Sequence, residues 1–220
     1  MLNLAKGKEI LKVKSKEVKP SDSNKVCIKG VIEDNLEFSH EVCGEKFYKS
    51  RVAVKRDSGV ADYVPLIISE REIDLKKLSE GVLVEISGQL RSHINKEKIK
   101  NRLEHFLFVK SIKVFDNEGI IFKNVIFLDG YVCKPTVLRK TPSGKIISDI
   151  FVAVNREYNK SDYIPAIAWG RMAYYAERLE VGDRIQLIGR IQSRMYITKL
   201  GQEERELYEI SIMDIEKFNK

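Results

Sequence analysis

Cysteine and histidine are scarce in this chain of 220 residues, with three of each. Cys27, Cys43 and Cys133 are an odd number without CxxC spacing. That argues against a disulfide framework or a cysteine zinc site, and the three read as reduced thiols. His40, His93 and His105 lie far apart in sequence and form no ligand motif. Clustered carboxylates and a nucleophile–base pair are also missing. Gly144-Lys145 lacks the rest of a phosphate-binding loop. The expectation is therefore a non-enzymatic protein with no metal, cofactor or catalytic residue. No apolar run is long enough to span a bilayer, and no signal-peptide pattern opens the chain. A soluble, cytoplasmic protein without a membrane partner is expected.

What the chain does have is a modest positive charge, +7. This suits a polyanion partner without requiring one. Residues 1–23 alternate lysine with apolar residues before a Pro-Ser-Asp-Ser break. They read as a basic N-terminal arm, either solvated or laid as an extra strand on the first folded unit.

The most informative feature is an internal repeat. Val52–Ile67, VAVKRDSGVADYVPLI, returns as Val152–Ile167, VAVNREYNKSDYIPAI, with eight of sixteen positions identical and no gap. The match extends upstream to Asn24 and Asn124, and downstream from Leu78–His93 to Leu179–Arg194. Units of roughly 100 residues are of domain size, so the period indicates tandem domains and not a solenoid. The expected boundaries are 24–116 and 117–220. Each copy reads as an apolar strand, a turn, two alternating strands, a short helix, and a final pair of strands. The helix would end at Gly81 or Gly182 as its C-cap. Five strands with one helix between the third and fourth is the order of an OB-fold barrel. The fold expected is all-β, with two tandem five-stranded OB-fold barrels and one short helix per domain.

Along Tyr163–Trp169 the side chains divide by parity. Ile164, Ala166 and Ala168 suit a barrel interior, which puts Tyr163 and Trp169 on the outer face. Tyr158 lies in the preceding hairpin and Tyr196 just after the fourth strand. Basic residues are interleaved: Arg156, Lys160, Arg171, Arg190 and Arg194, with Arg139, Lys140, Lys145 and Lys199 in the flanking segments. Exposed rings among cations suit sequence-tolerant binding of single strands, with bases on the rings and phosphates on the cations.

VLRKTPSGK (137–145), VAVNREYNKSDYIPAIAWG (152–170), AYYAERLEVGD and GRIQSRMY (189–196) resemble the DNA-binding domain of bacterial single-stranded DNA-binding proteins of the replication type. The resemblance covers about 124–218. It implies base stacking on Tyr158, Tyr163, Trp169 and Tyr196. It also implies roles in DNA replication, repair and recombination, with single-stranded DNA as partner; RNA is admitted as a second ligand because ring stacking tolerates either sugar. A two-domain branch of the family forms homodimers with four OB folds, so that assembly is expected.

The first repeat departs from the pattern. Tyr63 keeps the place of Tyr163, but Ser58, Ser69 and Asn95 stand at or near the other three ring positions. Its binding face is therefore expected to be degenerate. The chain ends at EKFNK, without the family's acidic tail, so tail-borne recruitment of replication or repair proteins is not expected. An alternative reading is a primosome-type accessory OB protein that mainly binds protein partners.

Overall fold

The computed structural model describes residues 22–95, 102–115, 121–197 and 204–218. Nearly all of the basic arm, and Lys199, lie outside the described residues. The first unit contains β1 (Asn24–Ile32), β2 (Glu37–Val42), β3 (Glu45–Lys55), β4 (Ala61–Ser69), β5 (Leu83–Asn95) and β6 (Arg102–Phe115). The second contains β7 (Lys123–Val132), β8 (Val137–Lys140), β9 (Ile146–Asn155), β10 (Ser161–Trp169), α1 (Arg171–Glu177), β11 (Arg184–Ile197) and β12 (Glu204–Phe218).

Each unit closes into a ring of five strands. β1 pairs with β5, and at Val31 and Ile32 also with β3. β3 pairs with β4, β4 runs parallel to β6 at Leu66↔Leu107, and β6 returns to β5. Strands β7, β9, β10, β12 and β11 repeat this ring. This is the OB barrel. β1 can serve two sheets because Gly30 has no side chain. A Cβ there would lie 2.5 Å from the Ala53 carbonyl oxygen, and one on Gly130 would lie 2.6 Å from that of Ala153. Alternation fills each barrel: Ile28, Val52, Val64, Leu66 and Leu107 in the first, and Ile126, Val152, Ile164, Ala168 and Ile210 in the second, are fully buried.

Three local expectations are corrected. The segment before each first turn forms an extra short strand, β2 on β3 and β8 on β9. The helix expected in the first unit is only a 3-10 turn, Leu75–Lys77, capped by the Asp74 side chain. The reason lies in packing. Ala173 and Ala176 bury one face of α1 against its barrel. The corresponding residues of the first unit are Glu72 and Leu75, and an unpaired carboxylate resists burial. Gly81 and Gly182 are not helix caps. They take left-handed conformations in the turns before β5 and β11, where their N–H groups donate to Ile32 and Val132.

The two barrels share one sheet. β1 lies antiparallel to β7 from Asn24↔Leu128 to Lys29↔Lys123, giving twelve strands in continuous order. A quasi-two-fold set of polar contacts locks this seam. Asp62 is fully buried and receives the guanidinium of Arg56, Arg190 Nη1 at 2.9 Å and the Ser193 N–H at 3.3 Å. Ser193 Oγ accepts from the Tyr63 N–H at 3.1 Å. In the mirror arrangement Asp162 accepts from the Ser92 N–H at 2.8 Å, and Ser92 Oγ accepts from the Tyr163 N–H at 2.9 Å. Arg156 stands 3.5 Å from Asp162. Burial pushes the Asp162 carboxyl above its ordinary value, against the pull of Ser92, Arg156 and Arg91. His105 Nε2 donates to the Tyr163 carbonyl at 2.8 Å, which sets the histidine tautomer. The seam thus fixes the backbone of both Tyr63 and Tyr163.

Candidate nucleic-acid interface

The outer face of the second barrel is set by the register of β9 and β10. Tyr163 lies opposite Ala153, Pro165 opposite Phe151, Ile167 opposite Asp149 and Trp169 opposite Ile147. Tyr163 and Trp169 are therefore on one face, about 20 Å apart along the strand. Tyr163 is 42% exposed, and its ring lies nearly parallel to Phe151 at 6.5 Å. Trp169 is half-buried, donates from Nε1 to Ser211 Oγ at 3.2 Å, and has Lys145 Nζ 5.9 Å from its ring centre.

Tyr158 sits at the tip of the β9–β10 hairpin and is 90% exposed. Its φ is 61°, and that of Asn159 is 54°. A bulky residue in this left-handed region costs roughly 1–2 kcal/mol. With the ring 90% exposed, packing among the described residues does little to offset this, and strain of this kind concentrates at functional sites. Tyr196 lies on β11, opposite Arg205 in the register.

The cations divide into two groups. Lys140, Lys145, Lys160 and Arg171 are exposed and enter no ion pair with a described residue. The others are engaged. Arg139 grips Asp149, and Arg194 pairs with the buried Glu209 at 3.1 Å. Arg156 and Arg190 serve the seam. Burial and the nearby Arg56 charge push the Arg190 guanidinium down, while Asp62 opposes them.

Sequence reasoning missed Phe151, with Lys134 Nζ 4.3 Å over it. Alternation along 146–156, read as it was along β10, would have found it. The first barrel holds a larger surprise. Its outer face keeps Tyr63, with Arg51 5.8 Å above the ring, and adds rings at positions the resemblance does not mark. Phe47 packs against Phe108 at 6.1 Å and stacks on His40 at 4.9 Å, and Arg91 covers Phe108 at 4.1 Å. The three histidines, distant in sequence, all line one groove of about 700 Å³ beside these rings.

Two closed five-stranded barrels, each with rings and cations on the outer face, define a tandem OB-fold protein. Residues 123–218 match the model of the single-strand binding protein family. Single-stranded DNA-binding protein A of Bacillus subtilis is 33% identical over 86 residues, which cover 36% of this chain and 50% of that protein. Single-stranded DNA-binding protein 3 of Streptococcus agalactiae is 33% identical over 86 residues, covering 36% and 62%. The chain thus spans about half to three fifths of the length of these relatives. The crystal structure of the wild-type single-stranded DNA binding protein from Thermus aquaticus is 20% identical. It superposes with a TM-score of 0.73 over 90% of this chain and 93% of that one, so the two-barrel fold is shared.

Proposed function

We propose that this protein binds single-stranded DNA without sequence preference, mainly on its second barrel. Bases stack on Tyr158, Tyr163, Trp169 and Tyr196. Phosphates follow Lys140, Lys145, Lys160 and Arg171. The observation that carries this reading is Tyr158, a ring held in solvent on a strained backbone. Little packing among the described residues holds the ring, and a stacked base is what an exposed ring of this kind can take. RNA is a second ligand under the same reading, because ring stacking does not read the sugar. Protection of exposed strands in replication, repair or recombination is the role that fits, without an enzymatic step and in the cytoplasm. The working form is a homodimer with four OB folds, and equilibrium sedimentation at a two-chain mass is the expected result.

Gel shifts with one sequence presented as single strand and as duplex test the main claim. The single strand is expected to bind far more tightly. Equal binding of both forms would reduce the site to a generic basic surface. No binding of either would favour a protein partner.

A further inference from the structure

Between the barrels, on the side of the seam that carries Tyr158, lies a pocket of about 190 Å³. Four cations line it: Arg91 and Lys110 from the first unit, Arg156 and Lys160 from the second. Tyr158 forms its lip, and Glu157 is its one acidic residue. Lys110 sits at a bulge of β6, where β5 steps from Ser87↔Ser111 to Gly88↔Val109. Bulges re-aim a side chain that would otherwise follow the ladder. Arg91 Nε is buried and meets no hydrogen-bond acceptor. Burial and the Arg156 charge push the Arg91 guanidinium down, while Asp162 and Glu157 oppose them.

The quasi-two-fold axis supplies an internal control. At the mirror position Arg190 stands for Gln89, Gln192 for Arg91, Met213 for Lys110, Arg56 for Arg156, Ser58 for Tyr158 and Val60 for Lys160. Met213 occupies the equivalent bulge of β12, and both Met213 and Val60 are exposed apolar side chains. There Arg56 and Arg190 are both paired with Asp62. The fold alone therefore does not require two lysines and a tyrosine here. One side of the seam carries them and the other does not.

The geometry points to this pocket as a phosphate subsite, through which a single strand held on the second barrel crosses to the outer face of the first. It rests on the reading that the second barrel binds a strand. Beyond the pocket the path is continuous. Arg91 lies over Phe108, Phe108 packs on Phe47, and Phe47 stacks on His40. The phosphodiester after the base on Tyr158 enters the pocket, and the following nucleotides meet this second row of rings. The first barrel then extends the site with aromatic residues of its own.

The test uses the full chain with Lys110→Met, which installs the mirror residue at an exposed position. Oligothymidines of about 8 and about 30 nucleotides bracket one barrel face and two. Trp169 emission reports both. The 8-mer is expected to bind Lys110→Met as it binds wild type. The 30-mer is expected to lose roughly three- to tenfold in affinity, with a salt slope shallower by about 0.7. Lys110→Arg should keep wild-type behaviour. An unchanged melting temperature shows that Lys110→Met folds. If both oligomers bind Lys110→Met and wild type alike, the crossing is overturned and the second-barrel site stands. If wild type binds neither, the strand-binding reading itself fails. If pyrophosphate protects wild type but not Lys110→Met against thermal unfolding as well as the 30-mer does, the pocket takes free phosphate and the crossing is overturned.

Discussion

Tyr163→Ala separates the chemistry of the site from the stability of the fold. The ring is 42% exposed and rests on Phe151, so its removal uncovers little of the core. The backbone stays held, because the Tyr163 N–H donates to Ser92 and its carbonyl accepts from His105, and alanine keeps both bonds. Loss of one stacking platform costs about 1–3 kcal/mol of binding. At tenfold per 1.4 kcal/mol this is a fall of roughly 5- to 150-fold in affinity for oligothymidine. The melting temperature should shift by only a few degrees. Tyr63→Ala is the matched control at the repeat position, and roughly a threefold effect at most is expected, below the range for a full platform. Fluorescence titration at fixed salt, with melting curves on the same samples, reads both quantities. If Tyr63→Ala is as damaging as Tyr163→Ala in a folded protein, the second barrel is not the principal site. An unchanged affinity for folded Tyr163→Ala removes that ring from the site altogether.

The cations, the seam and the close strand contacts give further expectations. Four cations of the second face that enter no ion pair with a described residue give a log–log salt slope of about −3 on single strands, at ~0.7 per contact, and a slope near zero would argue against phosphate binding. Arg190→Ala should lower stability by about 1–3 kcal/mol in denaturant melts, because Asp62 loses one charged partner while keeping Arg56, and should leave the salt slope unchanged. A shallower slope with unchanged stability would return Arg190 to the phosphate set. Burial pushes His105 below its ordinary value of 6.5, against the Tyr163 carbonyl and the Asp162 charge. The unfolded chain therefore binds that proton first, and stability should fall as pH drops below about 6.5. Asp162, raised by burial, acts in the opposite sense and only nearer the carboxylate range. Melting curves between about pH 7.5 and 5.5, flatter for His105→Gln, check this. Gly189→Ala places a Cβ 2.5 Å from the Ser211 carbonyl oxygen and should destabilise by about 1–3 kcal/mol, read in the same melts.

Much of the fold was legible because local patterns report it. Alternation along β10 separated Ile164, Ala166 and Ala168 from Tyr163 and Trp169, and the repeat gave the domain count. The seam was not legible. Asp62 and Asp162 recur because each copy uses its aspartate against the other copy, and a repeat shows recurrence without showing what it faces. The same gap hid the seam partners of Arg156 and Arg190. In the structure their guanidinium groups lie beside buried carboxylates of the seam. Phe47 and Phe108 escaped notice for another reason. They lie on the outer face of the first barrel at places the family pattern does not mark, so scoring only the marked positions made that face look empty. The missing first helix follows from two side chains, Glu72 and Leu75, where the second unit has two alanines that can dock.

The most direct measurement is the emission of Trp169, the only tryptophan in the chain. It stands on the outer face of β10, half-buried, with Lys145 5.9 Å from the ring centre. Titration of the full chain with oligothymidine should quench that emission to saturation, and added salt should reverse the quench. Emission that stays constant while sedimentation shows the oligonucleotide bound would place the strand elsewhere and contradict the account.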